Sequence, residues 1–393
     1  MLGHSEQVYR WALGVEQDKT RGREFFPNLE AARGVAALMV ALFHIGLFRY
    51  ADVFGHEHEL IIRTRGSGWG DVGARILGNG PGAVIFFFVL SGFVLTKVSE
   101  SGSANVRDNA WQFLSGRVFR IYPGVVSTLL VFTFVYVVFG SLIHSPEQFS
   151  PVSLFLNALL IRPNIDPVMW SLQLEMIGSI MILGLYYAWL RYGKPAIFLP
   201  YFVLLALSFT AVWNHLIGPP NSFGQIYAFV SGMAAYIYGR QIVSNLRRPL
   251  LWLGVVIVGF AITRPIVGWS SYWTILLETI FGGSIAALLA FGAFRTPAGR
   301  LFSIARFFGK ISFSFYLLHP IVLMYQKLFS APVTEAVARG IHPLAICAVL
   351  FAASVCFTTP LALAQYQLIE LPFIKLGRGF VNLGGMRAAR AIR

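Results

Sequence analysis

The sequence predicts an all-α fold: a polytopic integral membrane bundle of about ten transmembrane helices with both termini in the cytoplasm. Three observations predict it. Only 12% of the 393 residues are charged and 56% are hydrophobic, against about 25% charged in an ordinary soluble domain. Apolar segments recur along almost the whole chain, most of them near the roughly 20 residues that cross a hydrocarbon core of about 30 Å. None shows the alternation of polar and apolar residues that marks a membrane strand, so a helical bundle is favoured over a barrel.

Taken in order, residues 1–30 are polar and charged, with Glu6, Glu16, Asp18, Lys19 and Arg21, and form a cytoplasmic segment without the features of a cleavable signal peptide. Candidate spans follow near 31–50, 82–98, 118–140, 170–190, 195–213, 223–239, 249–262, 270–293, 311–328 and 341–369. The seventh is short and breaks before Arg264-Pro265. The tenth reads either as one long helix or as a broken one. Residues 31–373 thus form one membrane domain, and 374–393, ending in GGMRAARAIR, form a basic cytoplasmic tail.

The +14 net charge is distributed loop by loop. Lys and Arg crowd the segments before span one, after span two, between spans four and five, between six and seven, between eight and nine, and after ten. The opposite loops are poorer, except the segment with Arg49, Arg63, Arg65 and Arg75. This bias places both termini inside and makes basicity a topology signal, with membrane lipids rather than nucleic acid as the contact. Cys347 and Cys356, nine residues apart in an apolar stretch, are expected on the same side of a helix as small core residues. HEHEL, at His56 and His58, lacks the zincin spacing, and no metal is assigned.

Ionisable groups inside spans are costly and commonly line a cavity or pathway. RGVAALMVALFH carries Arg33 and His44 eleven residues apart, which places them on one helix face about 16 Å apart along the axis. This suits an extended ligand with an anionic end at Arg33 and a reactive end near His44, a candidate general base. Headgroup contact by Arg33 and an interhelical hydrogen bond by His44 are the structural alternatives. In PGAVIFFFVLSGFVL, Ser91 and Gly92 interrupt a bulky run and permit close packing or close ligand approach. In FLSGRVFRIYP, Arg117 and Arg120 share a face, and the planar guanidinium suits phosphate. WSLQLE supplies Trp170, an interfacial anchor, and Glu175, placed to orient a histidine, pair with an arginine or meet a substrate hydroxyl. Asn164 and Asp166 are expected at the outward mouth. In FGKISFSFYLLHP, Ser312 and His319 share a face; Glu278 and Glu370 are weaker candidates. On residues alone, an enzyme and a transporter or flippase of a polar or acylated molecule both fit.

These stretches together resemble the bacterial membrane acyltransferase-3 family, from about Asn28 to Phe373. The resemblance rests on Arg33 with His44, IFFFVLSGF, Arg117/Arg120 before Ile121-Tyr122-Pro123, WSLQLE, FGKISFSFYLLHP and IELPFI, in that order. It implies an inner-membrane O-acyltransferase that moves an acetyl or succinyl group from cytoplasmic acyl-CoA to a hydroxyl of an extracytoplasmic glycan, such as exopolysaccharide or lipopolysaccharide. It implies His44 as catalytic residue; the residues themselves add Glu175, expected to orient His44 or the acceptor. Arg33, Arg117 and Arg120 would hold the CoA, and Ser91, Gly92, Trp170 and His319 would support the site. Acyl-CoA is then a substrate rather than a permanently bound cofactor.

Overall fold

The computed structural model describes residues 26–380, apart from 48, 52–56, 61–68, 103–104, 141–145, 214–221, 270, 295–298 and 325. Most of the charged N-terminal segment, His56 and the GGMRAARAIR end therefore lie outside the described residues.

Helix α1 (Pro27–Gly46) opens with proline in its first turn, where an N–H would have no helical acceptor, and with Glu30 at the positive end of the helix dipole. It stops at Gly46 rather than running to 50, because an antiparallel ribbon of β1 (Arg49–Ala51) and β2 (Glu57–Glu59) follows, with Tyr50 opposite His58. Helices α2 (Trp69–Leu77) and α3 (Gly80–Glu100) meet at Asn79. The Asn79 side chain accepts from the Gly82 N–H at 2.9 Å and so caps α3. Then come α4 (Val106–Phe139), α5 (Pro151–Ala158), α6 (Trp170–Tyr192), α7 (Pro195–Ser208), α8 (Tyr227–Ser244), α9 (Pro249–Val267) and α10 (Tyr272–Phe291). The C-terminal part holds α11 (Arg300–Lys310), α12 (Ser312–Leu318), α13 (Ile321–Met324), α14 (Gln326–Ala338) and α15 (Pro343–Gln365). A π-helical turn, Tyr366–Glu370, carries α15 onward as one continuous helix to residue 380.

The protein is an all-α, multi-pass membrane bundle. Seven of its described helical stretches are long and apolar enough to cross a bilayer, or eight if α11 and α12 count as one bent span. Helix α7, with 14 residues, is shorter than an untilted crossing needs. Helix α3 is the hub: it packs on α1, α6, α8 and α10, and 72% of its apolar window is buried against 11% for α9. Helix α9 accordingly turns Leu250, Leu251, Val255 and Val258 outward, where lipid tails replace protein.

Two glycine crossings set this packing. A side chain at Gly92 would overlap the Phe229 carbonyl, and one at Gly232 would overlap the Val89 carbonyl, so α3 and α8 touch backbone to backbone. Gly34 meets the Ala305 carbonyl and Gly309 meets the Glu30 carbonyl in the same way, which clamps α1 onto α11.

Four expectations need correction. The ninth span does not run straight through 311–328. Helix α11 carries Arg300, Arg306 and Lys310 on an amphipathic sequence, and the chain bends by 70° at Ile311 before the apolar α12 begins. The seventh span does not break at Arg264-Pro265. Pro265 sits in the last turn of α9, where the loss of one backbone bond costs little, and Arg264 is buried rather than in a loop. Cys347 is buried and Cys356 exposed, because nine residues make about two and a half turns and put them on opposite faces. Asn164 and Asp166 do not line an outward mouth. Asp166 is fully buried and accepts from the Val168 N–H at 3.1 Å, and Asn164 closes a loop with Asn157. Burial holds the Asp166 carboxyl well above the usual carboxylate range.

Candidate active site

A cavity with about 810 Å³ of empty space, counted out to its open mouth, lies among α1, α3, α4, α6 and α12. Its walls are both apolar and charged. Phe87, Phe88, Leu172 and Phe313 supply the apolar surface, and Arg33, Arg117, Arg120 and Glu175 supply the charge. Three arginines against one glutamate leave the cavity positive.

The charged groups divide into two sets. Arg117 forms an ion pair with Glu175 through Nη2, and its Nε–H donates to Ser179 Oγ at 3.1 Å. Ser91 Oγ donates to the same carboxylate at 3.1 Å. Helix geometry makes this cluster possible: Glu175 and Ser179 are one turn apart on α6, and Ser179 Oγ donates back to the Glu175 carbonyl at 2.6 Å. Arg33 and Arg120, in contrast, make no ion pair among the described residues, although both line the cavity. Both guanidinium groups lie within electrostatic reach of Glu175 and Glu370, and with Arg117 they give the cavity an excess of positive charge, which favours an anion.

The polar end of α12 completes the wall. Ser312 lines the cavity, is 1% exposed, and its hydroxyl has no hydrogen-bond partner among the described residues. One turn later, Tyr316 lines the same cavity and its hydroxyl is tied to Ser171 Oγ at 2.9 Å. Behind Tyr316 stands a pair of histidines. His44 Nδ1 lies 2.9 Å from His319 Nε2, and His319 Nδ1 lies 2.7 Å from the Tyr316 carbonyl oxygen. The Tyr316 and His319 rings are 5.8 Å apart. Helix α1 thus brings Arg33 to the cavity and His44 to the histidine pair next to it.

The structure brings Arg33, Ser91, Arg117, Arg120 and Glu175 to one cavity and joins His44 to His319. It does not put Glu175 on His44: the Glu175 partners are Arg117 and Ser91, because α3 and α4 stand beside α6 at that level. Gly92 serves the α3–α8 crossing and Trp170 packs edge-on against Phe88 at 6.0 Å, so neither lines the cavity. Glu370 is buried in the π-helical turn and accepts from Ser314 Oγ at 3.1 Å. Glu278 is bound by Arg264 through two bonds of 2.8 Å and by Asn79 at 2.8 Å. Sequence reasoning missed Tyr316. The signal was present, since Tyr316 follows Ser312 by four residues and shares its helix face.

The family model described as an acyltransferase domain matches residues 26–363, most of the chain. No curated protein and no solved structure matches it.

Proposed function

Because the chain belongs to the acyltransferase-3 family, we propose that this membrane acyltransferase moves an acetyl or other short acyl group from cytoplasmic acyl-CoA to a hydroxyl of an extracytoplasmic glycan. The observation that carries the reading is the excess of guanidinium over carboxylate at a partly aromatic cavity, with Arg33 on the helix that also bears His44 and Arg120 on α4. The CoA phosphates belong at Arg33 and Arg120. Arg117, already neutralised by Glu175, holds the cavity wall and the position of Glu175. The pantetheine arm follows the aromatic wall of Phe87 and Phe313 toward Tyr316. This reading has both termini facing the cytoplasm of a bacterial inner membrane, and it brings the acceptor from the opposite side.

The chemistry needs one base. His44 takes the proton of the acceptor hydroxyl as its oxygen attacks the thioester carbonyl carbon. The C–O bond forms, the tetrahedral intermediate collapses, the C–S bond breaks, and the proton passes from His44 to the CoA sulfur. No redox partner and no metal enters this balance.

The test is acetyl-CoA binding to the protein in lipid nanodiscs by calorimetry, followed by turnover with candidate glycans. Saturable binding is expected, and Arg33→Ala with Arg120→Ala should weaken it at least about tenfold, the loss of about 1.4 kcal/mol of phosphate contact. His44→Ala should retain binding and lose turnover by about 100-fold or more. Transport of a polar solute without acyl-CoA consumption would replace this reading with the transporter.

A further inference from the structure

His319 is the buried titratable group for which the transfer chemistry has no use, yet it lies against the one residue that does the chemistry. The hydrogen bonds around it fix where its proton resides. A backbone carbonyl can only accept, so the 2.7 Å contact requires His319 Nδ1–H to donate to the Tyr316 oxygen. A neutral imidazole carries a single N–H, which leaves His319 Nε2 as a bare acceptor. The 2.9 Å contact then has His44 Nδ1–H donate to His319 Nε2, with the Val40 carbonyl, one turn earlier on α1, as a further acceptor beside the His44 ring. Both rings remain neutral at rest, because neither histidine has a carboxylate partner among the described residues and an unpaired charge at that depth is costly.

We propose that His319 is a positioning residue that holds His44 in the Nδ1–H tautomer, so that the Nε2 lone pair of His44 is the base. This rests on the acyl-transfer reading for its catalytic consequence, and on geometry alone for the tautomer. His319 does for His44 what a carboxylate does in a hydrolase triad: it accepts the other N–H, fixes the ring plane and stabilises the imidazolium that forms when His44 takes the acceptor proton. A neutral imidazole performs this role without placing a formal negative charge in the membrane. The chain order is Tyr316 carbonyl, His319, His44, acceptor hydroxyl, and the proton shuttles only between His44 Nε2, the acceptor oxygen and the CoA sulfur. The short α12 makes the alignment possible. Tyr316 and His319 are three residues apart, and the 70° bend before Ser312 aims this turn at α1 rather than along it.

The experiment uses the full chain, labelled with ¹⁵N-histidine, in lipid nanodiscs without acyl-CoA. Imidazole nitrogen resonances are compared in wild type, His319→Ala and His319→Gln, with His44→Gln used for assignment. In wild type, His44 is expected to show a protonated Nδ1 and a bare Nε2, the opposite of the tautomer a free histidine side chain prefers. His319→Ala should release His44 to the Nε2–H form and lower kcat about 100-fold, with KM for acetyl-CoA changed by no more than about twofold. His319→Gln, whose amide oxygen can accept from His44, should restore the tautomer and bring kcat to within about tenfold of wild type. A His44 that is Nε2–H in wild type, or that keeps its tautomer and its kcat in His319→Ala, overturns the proposal. If the alanine variant fails to fold, the wild-type and glutamine spectra decide. A His44 held as Nδ1–H in a protein that transfers no acyl group supports the histidine pair and overturns the acyl-transfer reading instead.

Discussion

Ser312 and Asp166 are both buried, and among the described residues both leave an oxygen without a partner, but they differ in what surrounds them. Ser312 faces the cavity, where a ligand can supply the missing bond. Ser312→Ala removes an unsatisfied hydroxyl, so the unliganded protein should be unchanged or up to about 1 kcal/mol more stable, while acetyl-CoA affinity should fall a few-fold. Thermal melting with and without acetyl-CoA separates the two effects. A stability loss in the unliganded variant would mean that the hydroxyl already has a partner. The Asp166 carboxyl is held well above the usual range by burial. A raised native pKa means the folded state binds the proton more tightly than the unfolded state. The stabilisation is complete below the ordinary aspartate value of about 3.9 and is lost as pH rises through the native value. Asp166→Asn, which keeps an acceptor for the Val168 N–H, should therefore gain on wild type as pH rises toward neutrality. Melting curves across that range would show a gap that closes in acid; a gap independent of pH would refute the assignment.

Among helices, the most buried ion pair among the described residues is the fork between Arg264 on α9 and Glu278 on α10, 4% and 0% exposed. It draws in Asn79, whose carbonyl oxygen caps α3, so one carboxylate ties three helices at a single level. Removing one partner strands the other charge. Glu278→Leu alone should cost about 3–5 kcal/mol, and Arg264→Met with Glu278→Leu should recover much of it. Melting of the single and double variants in detergent measures this; equal losses in both would show that packing rather than charge pairing is at stake. The glycine crossings are the apolar counterpart. At Gly34 the contact with α11 lies one residue from Arg33, so the same close approach that clamps α1 also sets where that guanidinium enters the cavity.

At the scale of the molecule, the bundle separates an interior hub from a lipid-facing rim, and the cavity sits beside the hub. The loop charges predict that both ends of the chain lie on the cytoplasmic side. Impermeant labelling of single-cysteine variants, made with Cys347 and Cys356 replaced, should modify residues near 10 and 390 only from the cytoplasmic side. Labelling of one end from outside would overturn that topology and, with it, the donor side of the proposed reaction. Much of this level was legible beforehand, because span length and charge asymmetry are properties of composition. The membrane bundle and the ordered family motifs are visible in the chain. The division of labour among the arginines was not. It depends on which cation reaches Glu175, and that is settled by the rotation of α4 against α6.

The same division runs through the whole protein. Hydropathy, helical period and loop charge act locally, so the sequence alone determined an all-α membrane bundle and a list of costly buried groups. Pairing acts across hundreds of residues. Only the tertiary structure decided that His44 meets His319, that Arg264 meets Glu278, and that Gly92 serves a crossing rather than a ligand. The bend at Ile311 and the close approaches at Gly34 and Gly92 make those decisions, because an ionisable side chain in a bilayer takes whichever partner the backbone brings within reach.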